Sequence, residues 1–306
     1  MKTNSLFNKK VKNVAVIYRS SSANAKKKAQ EIQQFFLDRQ ITASIFPQKS
    51  IRTTPRTRYD LIIALGGDGT YLKAVRYGQE HKSPVLGVNM GSLGFLTTHP
   101  EKDIFSILKK TLTGKMFIKT NHFISAKLYR QNRSQSGSNL QDQAPLPFYK
   151  KEMKGPDKVF QAVNDIVIER GALSHLISIS IYVNNQYIYS VKADGLIVAS
   201  PLGSTAYNLA AGGPILHPAV CSFVITPVCS HSLTSRPLII HDKSTIHLRI
   251  RDKKAFLTVD GLTREALRPN HILTIKKDKN CFLSLMEKKE MEFTLLREKL
   301  KFGQRD

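Results

Sequence analysis

Tyr59-Asp60-Leu61-Ile62-Ile63-Ala64-Leu65-Gly66-Gly67-Asp68-Gly69-Thr70 decides how the first third of the chain folds. Residues 59–65 are apolar but for Asp60, and the run ends in two glycines. That is the pattern of a parallel strand buried on both faces. Residues 70–80 read as a helix, so the Gly-Gly-Asp-Gly-Thr turn joins a strand to a helix. Glycines there let the backbone turn tightly and approach a ligand closely. The free N–H groups at the start of the helix favour phosphate. Lys73, one turn in, can add positive charge beside it. Gly66, Gly67 and Thr70 are therefore assigned to a phosphate loop. A carboxylate among phosphates is costly unless it has work to do, and Asp68 can accept a hydroxyl proton or help hold magnesium. An ordinary Gly-Asp turn is the competing reading, and the preceding strand and double glycine favour phosphate over it.

Working outward, residues 14–18, 41–46 and 84–89 read as strands. Residues 22–40 carry Ala29, Ile32 and Phe36 at helical spacing, and residues 103–113 read as a helix stopped by Gly114. Strands alternating with helices predict a doubly wound, parallel α/β domain over residues 1–118. After about Phe117 the character changes. Residues 123–129, 159–169, 176–183, 187–191 and 196–199 are strand-like, with Asn184-Asn185 as a hairpin signal. Residues 222–226, 238–240, 245–250, 255–259 and 272–276 continue the pattern. A mostly β second domain is expected over residues 119–289. Residues 131–147, rich in Ser, Gln, Asn and Pro, read as a loop. The tail, residues 290–306, is expected to pack back on the first domain, with a helix over 293–302.

The chain has 306 residues, enough for two ordinary domains. No apolar run approaches the roughly 20 residues that span a bilayer, and the 14–18 stretch is too short for a signal-peptide core. A cytoplasmic protein with no membrane partner is expected. Its three cysteines, Cys221, Cys229 and Cys281, lack the short spacing of a zinc or redox motif, so no protein metal site is assigned. The net charge of +24 raises nucleic-acid binding as an alternative. The lysines fall in short scattered pairs and triplets with no RNA-binding aromatic signature, as solvated surfaces would have them. No specific nucleic-acid partner is expected.

The double-glycine aspartate loop is shared by the diacylglycerol and sphingosine lipid kinases, the 6-phosphofructokinases and the NAD kinases. Other segments choose among them. Gly87-Val88-Asn89-Met90-Gly91-Ser92-Leu93-Gly94-Phe95-Leu96 follows a strand, and Asn164-Asp165-Ile166-Val167-Ile168 follows a short polar loop. Asp194-Gly195-Leu196-Ile197-Val198-Ala199-Ser200-Pro201-Leu202-Gly203-Ser204-Thr205-Ala206-Tyr207 runs on into Ala211-Gly212-Gly213-Pro214-Ile215-Leu216-His217-Pro218. His231-Ser232-Leu233-Thr234-Ser235-Arg236-Pro237-Leu238 comes next. In this order, over about residues 14–262, they resemble the NAD kinase family.

The resemblance implies transfer of the ATP γ-phosphate to the adenosine 2′-hydroxyl of NAD, with a divalent metal, Mg2+, accompanying ATP. It implies Asp68 as general base with Gly69 touching substrate beside it. Asn164 and Asp165 would bind the adenosine portion. Thr205, Ala206 and Tyr207 would lie around adenine and ribose, the segment continuing through Asn208, Leu209 and Ala210. His175, Lys192, Asp194 and Cys229 would be further NAD contacts. A homodimer or homotetramer is implied as well. Read from the residues alone, Ser204–Tyr207 suits a ribose and a purine, or equally a helix start capped by Ser204 with Tyr207 in the core. The chain departs from the family at three positions: Asp165 stands where Glu is usual, Leu262 where Gln is frequent, and Ser230 where proline is usual. A lipid kinase on the same loop is the other enzyme reading, but no membrane-binding segment accompanies it.

Overall fold

A computed structural model describes residues 5–51, 57–91, 94–130, 155–171, 175–251, 254–269, 271–287 and 292–301. The loop expected over 131–147 lies outside the described residues. The elements begin β1 (Ser5–Leu6), β2 (Asn13–Tyr18), α1 (Ala23–Leu37), β3 (Thr42–Pro47), β4 (Leu61–Gly66), α2 (Asp68–Gly78), β5 (Val85–Asn89), β6 (His99–Pro100), α3 (Ile104–Leu112) and β7 (Phe117–Tyr129). They continue β8 (Lys158–Ala162), β9 (Asp165–Arg170), β10 (Ile177–Val183), β11 (Gln186–Ala193), β12 (Gly195–Ala199) and α4 (Tyr207–Ala210). Last come β13 (Ser222–Val228), β14 (Leu238–His241), β15 (Ile246–Ile250), β16 (Ala255–Val259), β17 (Thr263–Leu267), β18 (Ile272–Met286) and α5 (Glu292–Leu300). Two compact units result, Met1–His122 with Asn280–Asp306, and Phe123–Lys279.

In the first unit β3, β2, β4 and β5 lie side by side in that order, all parallel. Every residue of β4 is buried, which is why its sequence does not alternate. Helix α1 sets Ala25, Ala29, Ile32 and Phe36 into the core on one stripe. Ser22 caps it, its side chain accepting from Ala25 N at 3.1 Å. Val14, Val16, Leu61, Ile63, Leu65 and Leu86 share one core with Ile32, Phe36 and Ile107. The end of α3 is turned off by Gly114, whose φ of +72° lies in the left-handed region. Two neighbours of β5 were not anticipated: β6, with Val88 opposite His99, and the far end of β18, with Ser284 opposite Val85. The polar stretch Lys276-Lys277-Asp278-Lys279-Asn280 hides the continuation of β18 from a reading by hydropathy.

In the second unit β14, β13, β12, β9, β16 and β17 form one antiparallel sheet. Ile166, Ile168, Leu196, Val198 and Leu257 from it pack in one core with Ile179, Ile181, Leu248 and Leu273 from β10, β15 and the start of β18. The expected hairpin at Asn184-Asn185 forms, both residues having positive φ, 50° and 70°, as a two-residue turn requires. Residues 159–169, expected as one strand, are two. β8 pairs with β7 in one sheet, whereas β9 pairs with β12 and β16 in the other. The break at Val163-Asn164 is held from outside the segment. The Asp260 carboxylate accepts the N–H of Val163 at 3.0 Å, of Asn164 at 2.8 Å and of Asp165 at 3.2 Å. Those donors are thereby satisfied by a side chain where the backbone leaves one sheet for the other.

Candidate active site

The turn expected to bind phosphate stands at the carboxyl end of β4, where open parallel sheets bind ligands. Gly67 is the N-cap of α2, in extended conformation, and the helix starts on Asp68, two residues earlier than the sequence suggests. A Cβ placed on Gly67 or Gly69 would meet nothing within 4 Å, so the turn has open space over it. Gly66 is different. It is buried at the strand end, and a Cβ there would collide with the Thr70 side chain. Thr70 is 3% exposed and its hydroxyl donates to Gln48 Oε1 at 2.6 Å. Gly66 and Thr70 thus build the turn, Gly67 and Gly69 leave the space over it open, and Lys73, one turn in, is half-buried.

Asp68 does not point freely into that space. Its Oδ1 accepts from Leu96 N at 3.0 Å, Thr97 N at 3.1 Å and Thr97 Oγ1 at 3.1 Å. Among the described residues its Oδ2 accepts once, from Phe95 N at 3.0 Å. The carboxylate therefore ties the segment after β5 to the start of α2. Nothing in the Gly94-Phe95-Leu96-Thr97 sequence signals that its N–H groups will meet a carboxylate.

The nucleoside-binding candidates of the second unit gather around the sheet containing β9. Asp165 begins β9 opposite Ala199, the last residue of β12, and β16 ends one residue before Asp260. Three strand ends therefore meet at one corner. Asn164 O accepts from Ser200 N at 2.8 Å, and Gly203 comes so close to the Asn164 backbone that a Cβ would overlap it. The Asn164 Oδ1 is buried and has no hydrogen-bond partner among the described residues. Asp165 is 4% exposed. Burial first, and then the nearby Asp260 carboxylate, raise its carboxyl from 3.8 to about 7. Asp260, absent from the sequence-based set, is thus the organiser of this corner. An Asp-Gly pair after a strand signals a turn, but nothing in it reveals which N–H groups the carboxylate will take.

Beyond Ser200 the chain makes a 3-10 turn, Leu202–Thr205, and then the four-residue α4. Ser204 does not cap α4. Its Oγ donates to Pro201 O at 2.7 Å and accepts from Leu216 N at 3.0 Å, because the turn that precedes α4 needs it. Asn208 is fully buried. Its Nδ2 donates to Ser204 O at 3.0 Å and Pro214 O at 3.1 Å, and its Oδ1 accepts from Thr226 at 2.7 Å. That side chain fastens the turn and leaves Tyr207 outside, 47% exposed, so Tyr207 is not a core residue. Thr205, Ala206 and Leu209 are half-buried and Ala210 is exposed. Burial first, and then Glu169, Cys229, Asp194 and Asp165, raise the Tyr207 hydroxyl.

Asp194 precedes β12 at the end opposite Asp165, and its carboxylate pairs with Arg170 Nε at 3.2 Å. Cys229 follows β13 beside it, exposed and with a φ of 47°. Lys192 and His175 are exposed, and Lys192 O accepts from His231 N at 2.9 Å. Of the departures, Leu262 is 40% exposed just past the Asp260-Gly261 turn. Ser230 shares a hydrogen bond of 2.8 Å with Ser235, so a hydroxyl shapes the loop at this position.

Residues 3–116 match the family described as ATP-NAD kinase N-terminal domain, and residues 163–283 match ATP-NAD kinase C-terminal domain. An NAD kinase of Bdellovibrio bacteriovorus is 40% identical over 303 residues, covering 96% of this chain and 93% of that protein. An NAD kinase of Koribacter versatilis is 36% identical over 249 residues, covering 81% of this chain and 79% of that protein. Among solved structures, yeast NADH kinase complexed with NADH has a TM-score of 0.82 at 21% identity, covering 99% of this chain and 93% of that one. An NAD kinase from Archaeoglobus fulgidus in complex with ATP has a TM-score of 0.71 at 22% identity, covering 94% of this chain and 98% of that one. At these identities the likeness to the solved structures is one of fold.

Proposed function

This chain belongs to the NAD kinase family, and from that footing we propose how its residues carry the reaction. It phosphorylates NAD to NADP with ATP as donor. The observation that supports the reading most is the hydrogen-bond inventory of Asp68. An ionised carboxylate offers about four lone-pair sites. These are two on each oxygen; among the described residues Oδ1 accepts three hydrogen bonds and Oδ2 one, so Oδ2 is the atom with capacity left for a hydroxyl. The ribose 2′-O–H donates to Oδ2. Its oxygen attacks the γ-phosphorus as the bond to the β–γ bridging oxygen breaks. ADP departs, and the proton passes to Asp68 and then to solvent. Such transfer depends mainly on positioning and on neutralising oxygen charge. The open turn at Gly67 and Gly69, with Lys73, meets the phosphates.

Among the described residues no three His, Cys, Asp or Glu side chains gather as a metal centre. This donor set fits a Mg2+ ion that arrives on the oxygens of ATP, since Mg2+ is commonly held by one or two carboxylates together with substrate phosphates. The remaining lone pair of Asp68 is given to the 2′-hydroxyl, so the ion would be held chiefly by the phosphates themselves. When bound, the ion neutralises phosphate charge.

For NAD, Asn164 and Asp165 bind the adenosine portion, and Tyr207 offers its face to the adenine. Thr205, Ala206, Leu209 and Ala210 line the same turn. Asp194, Lys192, His175 and Cys229 serve the part of NAD further from the ribose. Asn208 acts from beneath, through Tyr207. Among the described residues no helix is long and apolar enough to cross a membrane. We assign the enzyme to the cytoplasm as a homodimer or homotetramer, which sedimentation of the full chain tests.

The activity is tested by incubating the purified chain with MgATP and NAD and following NADP with an NADP-specific dehydrogenase. Diacylglycerol serves as the competing acceptor. NADP formed in step with ADP supports the reading. Phosphorylated diacylglycerol without NADP contradicts it.

A further inference from the structure

Four groups crowd the carboxylate assigned as base, and Thr97 supplies two of them. Thr97 is 0% exposed, and both its N–H and its hydroxyl donate to Asp68 Oδ1, each at 3.1 Å. The hydroxyl is itself oriented. Asn89, 4% exposed at the end of β5, donates from Nδ2 to Thr97 Oγ1 at 3.2 Å. The Asn89 Oδ1 is held in turn by Gly91 N at 2.7 Å. A threonine oxygen that accepts from Asn89 has its own hydrogen left for Asp68. Asn89 also lies opposite Gly66 across β4 and β5, so the chain of bonds starts on the strand pair that carries the phosphate loop.

We propose that Thr97, set by Asn89, is a positioning residue whose hydroxyl fixes the placement of Asp68 Oδ1 and with it that of Oδ2, the oxygen presented to the acceptor hydroxyl. Without the Thr97 hydroxyl, Oδ1 loses its one side-chain donor and keeps the N–H groups of Leu96 and Thr97. The carboxylate is then held by the main chain of one loop alone, without the tie through Asn89 to the end of β5, and its Oδ2 is less closely placed for the acceptor hydroxyl. The loss falls on the chemical step, which is sensitive to sub-ångström placement, and not on NAD binding. Thr97 acts through Asp68 and touches no substrate. The inference rests on the reading of Asp68 as general base.

The test compares Thr97→Ser with Thr97→Ala in the full-length enzyme. The two lack the same methyl and differ only in the hydroxyl. Steady-state kcat and KM for NAD are measured beside the melting temperature, with Asp68→Ala as reference. Thr97→Ser is expected to keep kcat within about threefold of the parent. Thr97→Ala is expected to fall about ten- to a hundredfold in kcat, the range for a lost hydrogen bond to a charged group, with KM for NAD changed less than about threefold. Equal kcat in the serine and alanine variants, with Asp68→Ala inactive, overturns the positioning role and leaves the base intact. Near-normal turnover by Asp68→Ala instead overturns the reading beneath it. If Thr97→Ala does not fold, Thr97→Val, which restores the bulk without the hydroxyl, takes its place with the same expectations.

Discussion

Gly94 lies directly against the carboxylate of Asp68. A Cβ built on Gly94 would overlap both Asp68 Oδ1 and Thr97 Oγ1. The demand is for space, and it explains a glycine in the Leu93-Gly94-Phe95 segment that turn chemistry alone does not require. We predict that Gly94→Ala displaces the carboxylate and lowers kcat for NADP formation at least about tenfold. Overpacking of this kind costs about 1–3 kcal/mol, so the variant also melts earlier. An alanine variant with parental kcat contradicts the tight seating of Asp68.

The carboxyl of Asp165 is raised from 3.8 to about 7 by burial and then by Asp260. Because its folded value lies above the unfolded one, the native state holds the proton between them. The stability this provides is full below about pH 4 and is lost as pH rises through about 7. Asp165→Asn has no charge to bury, so its melting temperature should gain on the parent from pH 4 to pH 8. Melting curves across that range check this, and a gap that does not change with pH contradicts it. In the parent, KM for NAD should fall as pH rises through about 7, because the ionised carboxylate is the better acceptor for a ribose hydroxyl.

Tyr207 stands outside the turn that carries it. If its ring stacks on adenine, Tyr207→Phe keeps the face and changes KM for NAD little. Tyr207→Ala should raise KM about ten- to a hundredfold, since stacking a base on an aromatic ring is worth ~1–3 kcal/mol. Titration calorimetry with NAD checks both variants. Equal affinity of the alanine and phenylalanine variants contradicts stacking.

Asn208 is predicted to act on stability before it acts on binding. Its buried amide makes hydrogen bonds to Ser204, Pro214 and Thr226. Asn208→Ala leaves those partners unpaired, at a cost of about 1–3 kcal/mol for each buried group that finds no substitute. A clear fall in melting temperature without NAD present is the expected result. A variant that melts like the parent and binds NAD poorly would return Asn208 to direct contact.

How legible all this was in the sequence depends on the range of the interactions involved. The strand-turn-helix around Gly67 and the hairpin at Asn184-Asn185 are local, and hydropathy with turn chemistry found them. The two sheets of the second unit were visible as strands, but their partition was not. The break at Val163-Asn164 depends on a carboxylate 95 to 97 positions away in the chain. The return of β18 to a place beside β5 depends on residues whose polarity masks a strand. At the site, Asp68 stood out because a charge in a glycine turn is locally anomalous. Thr97, Gly94, Asn89 and Asp260 did not, because each is unremarkable until the fold sets it against its partner. Ser204 and Asn208 lie in the segment that carries the resemblance, and their side chains turn inward to hold the turn together.

The most direct test of the account is the rate of phosphoryl transfer in a single turnover by Asp68→Ala, with NAD affinity measured on the same preparation. A general base is typically worth about 10²–10⁴-fold. The account predicts that NADP formation slows by that much while the Kd for NAD stays within a few-fold of the parent. A folded Asp68→Ala enzyme that forms NADP at close to the parental rate would contradict it.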